Sequence, residues 1–281
     1  ENNNYSPYLG ALGDSLHEAG LKTAIFGNSD TDEENIRTAA LIPMDSKGLI
    51  DYGNLDNILV ESKASPYGIK TDYEKILNEL THIKSKASLI VIDTGDLNRL
   101  NNYSHFLSID TFNHKRELIL KDIDEFIGSL TNSIDKENSL LLILSPNGGE
   151  ERIDGNKLSP IILWGKGVEK GTITSSTTNK KGIISNLDIS PTIANFLNTS
   201  TEKMLGSSVV FIKEDNGINY INNINNRINT TSKLRSKTLL IYGIISIVFL
   251  LIIISLFLMR IRIDNKIAEL LRIWLILLYG L

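Results

Sequence analysis

The run SLIVID (Ser88–Asp93) is a continuous apolar segment that ends in an acidic side chain. Apolar runs of this length, without alternation, are typical of strands buried on both faces of a parallel sheet. Three more runs along the chain have the same character: LKTAIFG (Leu21–Gly27), SLLLILS (Ser139–Ser145) and PIILWG (Pro160–Gly165). We therefore expect the chain to contain a buried sheet.

Segments with helical spacing of apolar residues separate these strands. They are Tyr8–Ala19, Tyr73–Ile83, His114–Leu130 and Ile189–Leu197. Strands that alternate with helices predict an α/β fold with a mostly parallel sheet and helices on both faces. Two shorter runs, Ala39–Met44 and Gly48–Tyr52, predict a hairpin around Asp45-Ser46-Lys47.

A run of 22 residues without any charge, Thr238–Met259, follows the α/β part. As a helix it is about 33 Å long, enough to cross a hydrocarbon core of about 30 Å. A buried core helix is the alternative, but such helices rarely lack a polar face over this length. We expect a transmembrane helix, with the lipid bilayer as a partner of the protein.

Basic residues flank this run on both sides. The short loop 260–272 contains Arg260, Arg262, Lys266 and Arg272, and the positive-inside rule favours the cytoplasm for it. We expect a multi-pass protein of the cell membrane whose α/β part faces away from the cytoplasm.

The composition excludes several classes of protein. The chain has 281 residues, a net charge of −4 and no cysteine. A chain without cysteine has no disulfide, thiolate zinc site or cysteine nucleophile, and a slightly acidic chain is not expected to bind nucleic acid.

The expected organisation has five parts. They are a soluble domain (1–212) that lacks its N-terminal portion, a polar Asn-rich segment (213–237), a transmembrane helix (238–259), a short basic loop (260–272) and the start of a second transmembrane helix (273–281). The Asn-rich segment is either a disordered tether or a short helix at the membrane surface, since its isoleucines recur at near-helical spacing. Because Glu1 is not an initiator Met, we interpret the chain as a segment of a longer protein.

Four segments together resemble the alkaline phosphatase-like superfamily, which includes sulfatases, phosphodiesterases and phosphoglycerate mutases. They are SLHEAGLKTAIFGNSDT, LIVIDTGDLNR, LLLILSPNGGE, and LSPIILWGKGVEKG followed by IISNLDISPTIANFL. Their order and spacing cover roughly Leu9 to Val210. The resemblance implies an α/β fold in which loops after the strands hold two divalent metals.

The metal ligands of that superfamily are largely replaced. Pro146-Asn147 stands where the resemblance implies Asp-His, Leu100 where a His is expected after Asp96, and Lys157 or a neighbour where another His is expected. The comparison leaves four candidates for a metal site that is either functional or vestigial: Asp96, Asp93, Asn147 and Asp30. The nucleophile implied by the resemblance would precede Glu1, and Thr31 is a substitute candidate, with a turn or helix cap as the alternative.

The four histidines, His17, His82, His105 and His114, are expected in surface or packing roles. The sequence therefore favours a pseudoenzyme: a binding or structural module of a bacterial cell-envelope protein, with other envelope proteins as partners. A metal-dependent phosphoryl or sulfuryl ester hydrolase or transferase, with Zn or Mn, is the alternative. A domain accessory to a transporter or polymer-assembly protein is a third hypothesis.

Overall fold

The structure is a computed structural model that describes residues 8–146, 158–259 and 264–279. These residues form two compact units. One comprises 8–146 and 159–222 of the described residues, and the other comprises the rest, chiefly those from 223 onward. The first is a mixed α/β unit and the second is helical.

Helices and strands are mixed along the chain. In chain order they are α1 (Ala11–Glu18), β1 (Thr23–Gly27), β2 (Tyr52–Asn54), β3 (Leu59–Glu61), β4 (Ile69–Thr71), α2 (Tyr73–Ile83), β5 (Leu89–Asp93), α3 (Asp96–Asn102), α4 (Ile109–Ser133), β6 (Leu140–Leu144), β7 (Ile161–Gly165), β8 (Gly171–Thr174), α5 (Ile189–Phe196), β9 (Val210–Lys213), α6 (Gly217–Leu258) and α7 (Asn265–Tyr279).

A three-stranded parallel sheet with the order β2-β1-β5 lies in the α/β unit. The remaining described pairs, β3-β4, β6-β7 and β8-β9, are antiparallel. The parallel arrangement expected from the sequence thus holds for β1 and β5, whereas PIILWG forms a strand that runs antiparallel to β6. Because β6 and β7 run antiparallel, this pair needs no helical crossover.

Two apolar clusters form the core of this unit. One combines Phe26 of β1 with residues of α2 and α4, and Ile90 and Ile92 of β5 pack against it. The other combines residues of α1 and α5, and Leu89 packs against it. Since alternate residues of a strand point to opposite faces, β5 contributes to both clusters and has helices on both sides.

The predicted hairpin is wrong. Residues 38–41 form a 3-10 turn, and Tyr52–Asn54 pairs in parallel with β1. The carboxylate of Asp45 accepts hydrogen bonds from the amides of Lys47 and Leu49, so this segment is a loop held by a side chain. A long-range strand pairing has replaced the local one.

The Asn-rich segment is helical. α6 begins at Gly217 and continues without a break through the apolar run to Leu258. Among the described residues, this is the one helix that is long and apolar enough to cross a membrane, and most of its large apolar side chains are exposed. A buried core helix does not fit that exposure, since Leu239, Leu240 and Ile241 are each more than half exposed.

A second helix follows at the end of the chain. α7 includes the described part of the predicted second span, and Trp274 on α7 contacts Phe249 on α6 with ring centroids 6.4 Å apart. α7 carries Lys266, Glu269 and Arg272, so residues 265–272 of the expected basic loop are helical.

Candidate functional site

The side chain of Arg99 lies at the carboxyl ends of β1, β4 and β5 and is completely buried. Its Nη1 donates to the carbonyl oxygens of Asn28 (3.0 Å) and Asp30 (3.3 Å), which follow β1. Its Nη2 donates to Thr71 Oγ1 and to Asp96 Oδ1, both at 2.8 Å. One guanidinium therefore joins three strand ends, in the crevice where parallel sheets usually bind their ligands.

Gly95 allows the backbone after β5 to lie close to Asn28 and to the Arg99 guanidinium. Its φ is 60°, a left-handed conformation that glycine adopts readily. A Cβ there would lie 2.0 Å from the carbonyl oxygen of Asn28 and 2.8 Å from Arg99 Nη2. The turn between β5 and α3 thus requires a residue without a side chain.

Asp96 is buried, and both oxygens of its carboxylate accept hydrogen bonds. Besides Arg99, its Oδ1 accepts from the Thr71 amide at 3.0 Å, and its Oδ2 accepts from the Tyr73 hydroxyl at 2.8 Å. Burial and the adjacent Asp96 charge strongly raise the pKa of Tyr73, which keeps that hydroxyl a donor. A metal ion at Asp96 would lie beside the Arg99 guanidinium, which repels a cation.

Asp30 is held by a second arginine. Arg37 Nη2 donates to Asp30 Oδ2 at 2.8 Å, and the Ile36 amide donates to Oδ1 at 2.8 Å. The same Nη2 lies 2.8 Å from the exposed Asp56. The Asp30 carboxylate therefore closes the loop after β1 and is neutralised by Arg37.

Asp93 differs from Asp30 and Asp96, because no arginine of the described residues forms an ion pair with it. It accepts hydrogen bonds from Ser29 Oγ and the Gly95 amide, each at 3.0 Å. Burial is the main cause that raises its pKa, since these bonds and the charge of Arg99 offset it only in part. No ion pair within 4.0 Å joins Asp93 to a cation of the described residues.

The other residues named from the resemblance add no metal ligand among the described residues. Asn147 and Lys157 lie outside the described residues. Leu100 is completely buried, so it packs in the core where a ligand was expected from the resemblance. In the described ranges, no group of three or more His, Asp or Glu side chains could hold a metal ion.

Thr31 lies in a local turn. Its hydroxyl accepts from the amides of Glu33 (3.2 Å) and Glu34 (3.1 Å), which is the turn alternative noted from the sequence. It also lines an open cleft of about 610 Å³, together with Glu34, Tyr67 and His105. Burial and the charges of neighbouring acidic residues raise the pKa of Tyr67.

The backbone of Tyr67 is strained. Its φ of 57° is rare for a residue with an aromatic side chain. The ring packs edge-on against Tyr103 with centroids 5.1 Å apart. Strained residues that persist in a cleft are typical of functional sites, so this open cleft is a candidate site for a small polar ligand.

His17 contacts two carboxylates. His17 Nδ1 lies 3.1 Å from Asp45 Oδ2 and Nε2 lies 2.9 Å from Asp51 Oδ2. Each ring nitrogen therefore lies within hydrogen-bond distance of a carboxylate oxygen. Asp51 also accepts from the amide of Thr23, the first residue of β1, so this cluster lies at the amino end of the sheet, away from Arg99.

The role of Arg99 was missed by sequence reasoning, although a signal exists. Arg99 is the only Lys or Arg between Lys86 and Lys115, and it lies three residues after Asp96. This is a helical ion-pair spacing directly after a buried strand.

Comparison with protein-family models, with curated proteins and with solved structures gives no match to this chain.

Proposed function

We propose that this chain is a membrane-anchored domain with an alkaline phosphatase-like fold that has lost its metal site. It works as a binding or structural module of a bacterial envelope protein and faces away from the cytoplasm. It belongs to a multi-pass protein, and other envelope proteins are its partners. The observation that carries this proposal is the buried guanidinium of Arg99.

The reason is electrostatic. A metal-dependent ester hydrolase needs carboxylates that are free to ligate a cation and a cation that polarises the ester. Here Asp96 and Asp30 are already neutralised by Arg99 and Arg37. A guanidinium is permanently charged and has no open coordination position, so it stabilises the strand ends without activating a nucleophile.

The alternative is an active metal-dependent phosphoryl or sulfuryl ester hydrolase with divergent ligands. Asp93 favours it, because its carboxylate is mostly buried and contacts no cation among the described residues. In that case Asp93 would bind Zn or Mn together with ligands outside the described residues, Asn147 among them.

The experiment measures metal content and hydrolysis on the full chain in detergent. The chain is equilibrated with Zn²⁺ or Mn²⁺, dialysed, and assayed with p-nitrophenyl phosphate, its diester and an aryl sulfate. We expect substoichiometric metal and no hydrolysis above buffer, with Asp93→Asn unchanged from wild type. Asp124→Asn, an exposed carboxylate of α4, is the matched control.

Stoichiometric metal together with hydrolysis that Asp93→Asn abolishes and Asp124→Asn leaves intact would establish the alternative. Substrate binding without turnover would support the binding module.

A further inference from the structure

The charges of the chain are distributed very unevenly. Residues 1–215 contain 21 Lys and Arg against 31 Asp and Glu, whereas residues 216–281 contain eight against two. No Asp or Glu occurs between Asp215 and Asp264. The basic end of the chain is therefore also the part that includes the apolar helix.

Three of these basic residues lie directly before the apolar run. Lys233, Arg235 and Lys237 are exposed on α6, and the uncharged segment begins at Thr238. α6 has no break between these basic residues and the apolar run. The helix therefore fixes the depth of their side chains in a membrane that it crosses.

The axial extent of the cluster matches the headgroup layer. Lys233 and Lys237 are four residues apart, or about 6 Å along the helix axis. The polar layer on each side of a hydrocarbon core of about 30 Å is about 5–8 Å thick. All three charges therefore fall within one headgroup layer if Thr238 starts the span.

The angular distribution distinguishes lipid from a protein partner. At 3.6 residues per turn, Arg235 lies about 160° around the helix from Lys233, and Lys237 lies about 40° from Lys233. The cluster, which we call the basic collar, therefore has charges on opposite sides of α6. A protein groove would contact one side, whereas lipid headgroups surround the helix.

We propose that the basic collar (Lys233, Arg235 and Lys237) binds anionic phospholipid headgroups of the leaflet on the side of the α/β unit. Lys and Arg donate charge-assisted hydrogen bonds to phosphate oxygens, and basic residues next to a span are attracted to anionic lipid. Residues 1–215 have an excess of acidic side chains, which an anionic lipid surface repels. This inference rests on the membrane span of the proposed function.

The test uses the full chain in nanodiscs that contain equal amounts of phosphatidylglycerol and phosphatidylcholine. The protein is then transferred to detergent, and native mass spectrometry identifies the lipids that stay bound. We expect wild type to retain phosphatidylglycerol preferentially. The triple variant Lys233→Gln, Arg235→Gln, Lys237→Gln should reduce this preference by about fivefold for each charge removed at low salt. Added salt should weaken the wild-type preference as well.

The matched control is Lys63→Gln, Lys170→Gln, Lys213→Gln, which removes three exposed charges from the α/β unit and changes the net charge equally. It should keep the wild-type preference. Equal retention of both lipids by wild type, no effect of the collar variant, or an equal loss in the control overturns the proposal. Resistance to alkaline extraction is measured on the same samples: if wild type is extracted, the span itself fails and the collar with it, whereas resistance without lipid preference refutes the collar alone.

Discussion

At the scale of single residues, Arg99 is the centre of the candidate site. Its guanidinium donates to two carbonyl oxygens, one hydroxyl and one carboxylate without any contact with solvent. A buried charge that is paired and hydrogen-bonded is tolerated, but removal of one partner leaves the other charge uncompensated. The integrity of the three strand ends therefore depends on this side chain.

We predict that Arg99→Met lowers the free energy of unfolding by about 3–5 kcal/mol, because it leaves Asp96 buried without its cation. Urea unfolding followed by the fluorescence of Trp164, in a Trp274→Phe background, measures the change in the α/β unit. Arg227→Met, an exposed arginine on α6, is the control and should cost little. A loss no larger than that of the control would show that Arg99 does not hold the site together.

The ionisation of Asp51 makes the stability of the folded chain depend on pH. Burial by itself would raise its pKa, but hydrogen bonds from Lys22, the Thr23 amide and His17 together lower it from 3.8 to about 2. A lowered pKa in the folded state contributes stability that is fully present above the unfolded value. That contribution is lost as the pH falls from about 4 to about 2.

We therefore predict that the melting temperature of wild type falls over this pH interval more steeply than that of Asp51→Asn. The groups that face Asp51 are His17, Lys22 and Tyr52, and the variant leaves them in place. Asp124→Asn should follow the wild-type curve. Parallel curves for wild type and Asp51→Asn would contradict the assignment.

At the scale of elements, α5 depends on a carboxylate that precedes it. Asp188 is completely buried and accepts from Ser175 Oγ (2.7 Å), Thr177 Oγ1 (2.5 Å) and the amides of Ser185 (2.8 Å) and Ser207 (3.0 Å). Burial alone would raise the pKa of Asp188, yet these four donors lower it. The Asp-Ile-Ser-Pro-Thr motif noted for its resemblance thus has a structural role: it joins the start of α5 to two loops.

We predict that Asp188→Asn destabilises the α/β unit by about 1–3 kcal/mol. The NH2 group of the asparagine would face hydrogen-bond donors and leave one or more of them without an acceptor. Asp215→Asn, whose side chain is 98% exposed, is the matched control. Chemical unfolding by the Trp164 signal gives both values. A neutral Asp188→Asn would mean that the loops can rearrange around α5.

Elements with a strong local signal could be predicted from the sequence. α2 was predicted with the bounds that it has, because its apolar period is regular and Asp72 caps it by accepting from the Lys75 amide. α4 begins five residues earlier than predicted, at Ile109, where Ser108 accepts from the Thr111 amide. β2 could not be predicted, since its three residues contain no apolar run and it forms only by pairing with β1.

At the scale of the whole molecule, the absence of cysteine allows a direct test of topology. A single cysteine at Ser176 on the α/β unit or at Asn265 at the start of α7 introduces one label site in an exposed position. We predict that a membrane-impermeant maleimide labels Ser176→Cys in intact cells but labels Asn265→Cys only after permeabilisation. The opposite pattern would place the α/β unit in the cytoplasm and reverse the proposed orientation.

The sequence by itself determined the α/β character, the positions of β1 and β5, and the apolar run of α6, because buried strands and membrane-length helices are recorded in local runs of apolar residues. It also identified Asp30, Asp93 and Asp96 as side chains that follow strands. The tertiary structure decided what those carboxylates contact. Arg99 neutralises Asp96, Arg37 neutralises Asp30, and Asp93 has no cation among the described residues. These pairings are set by how β1, β4 and β5 meet in space, and no local pattern of residues encodes contacts between segments 69 and 71 positions apart along the chain.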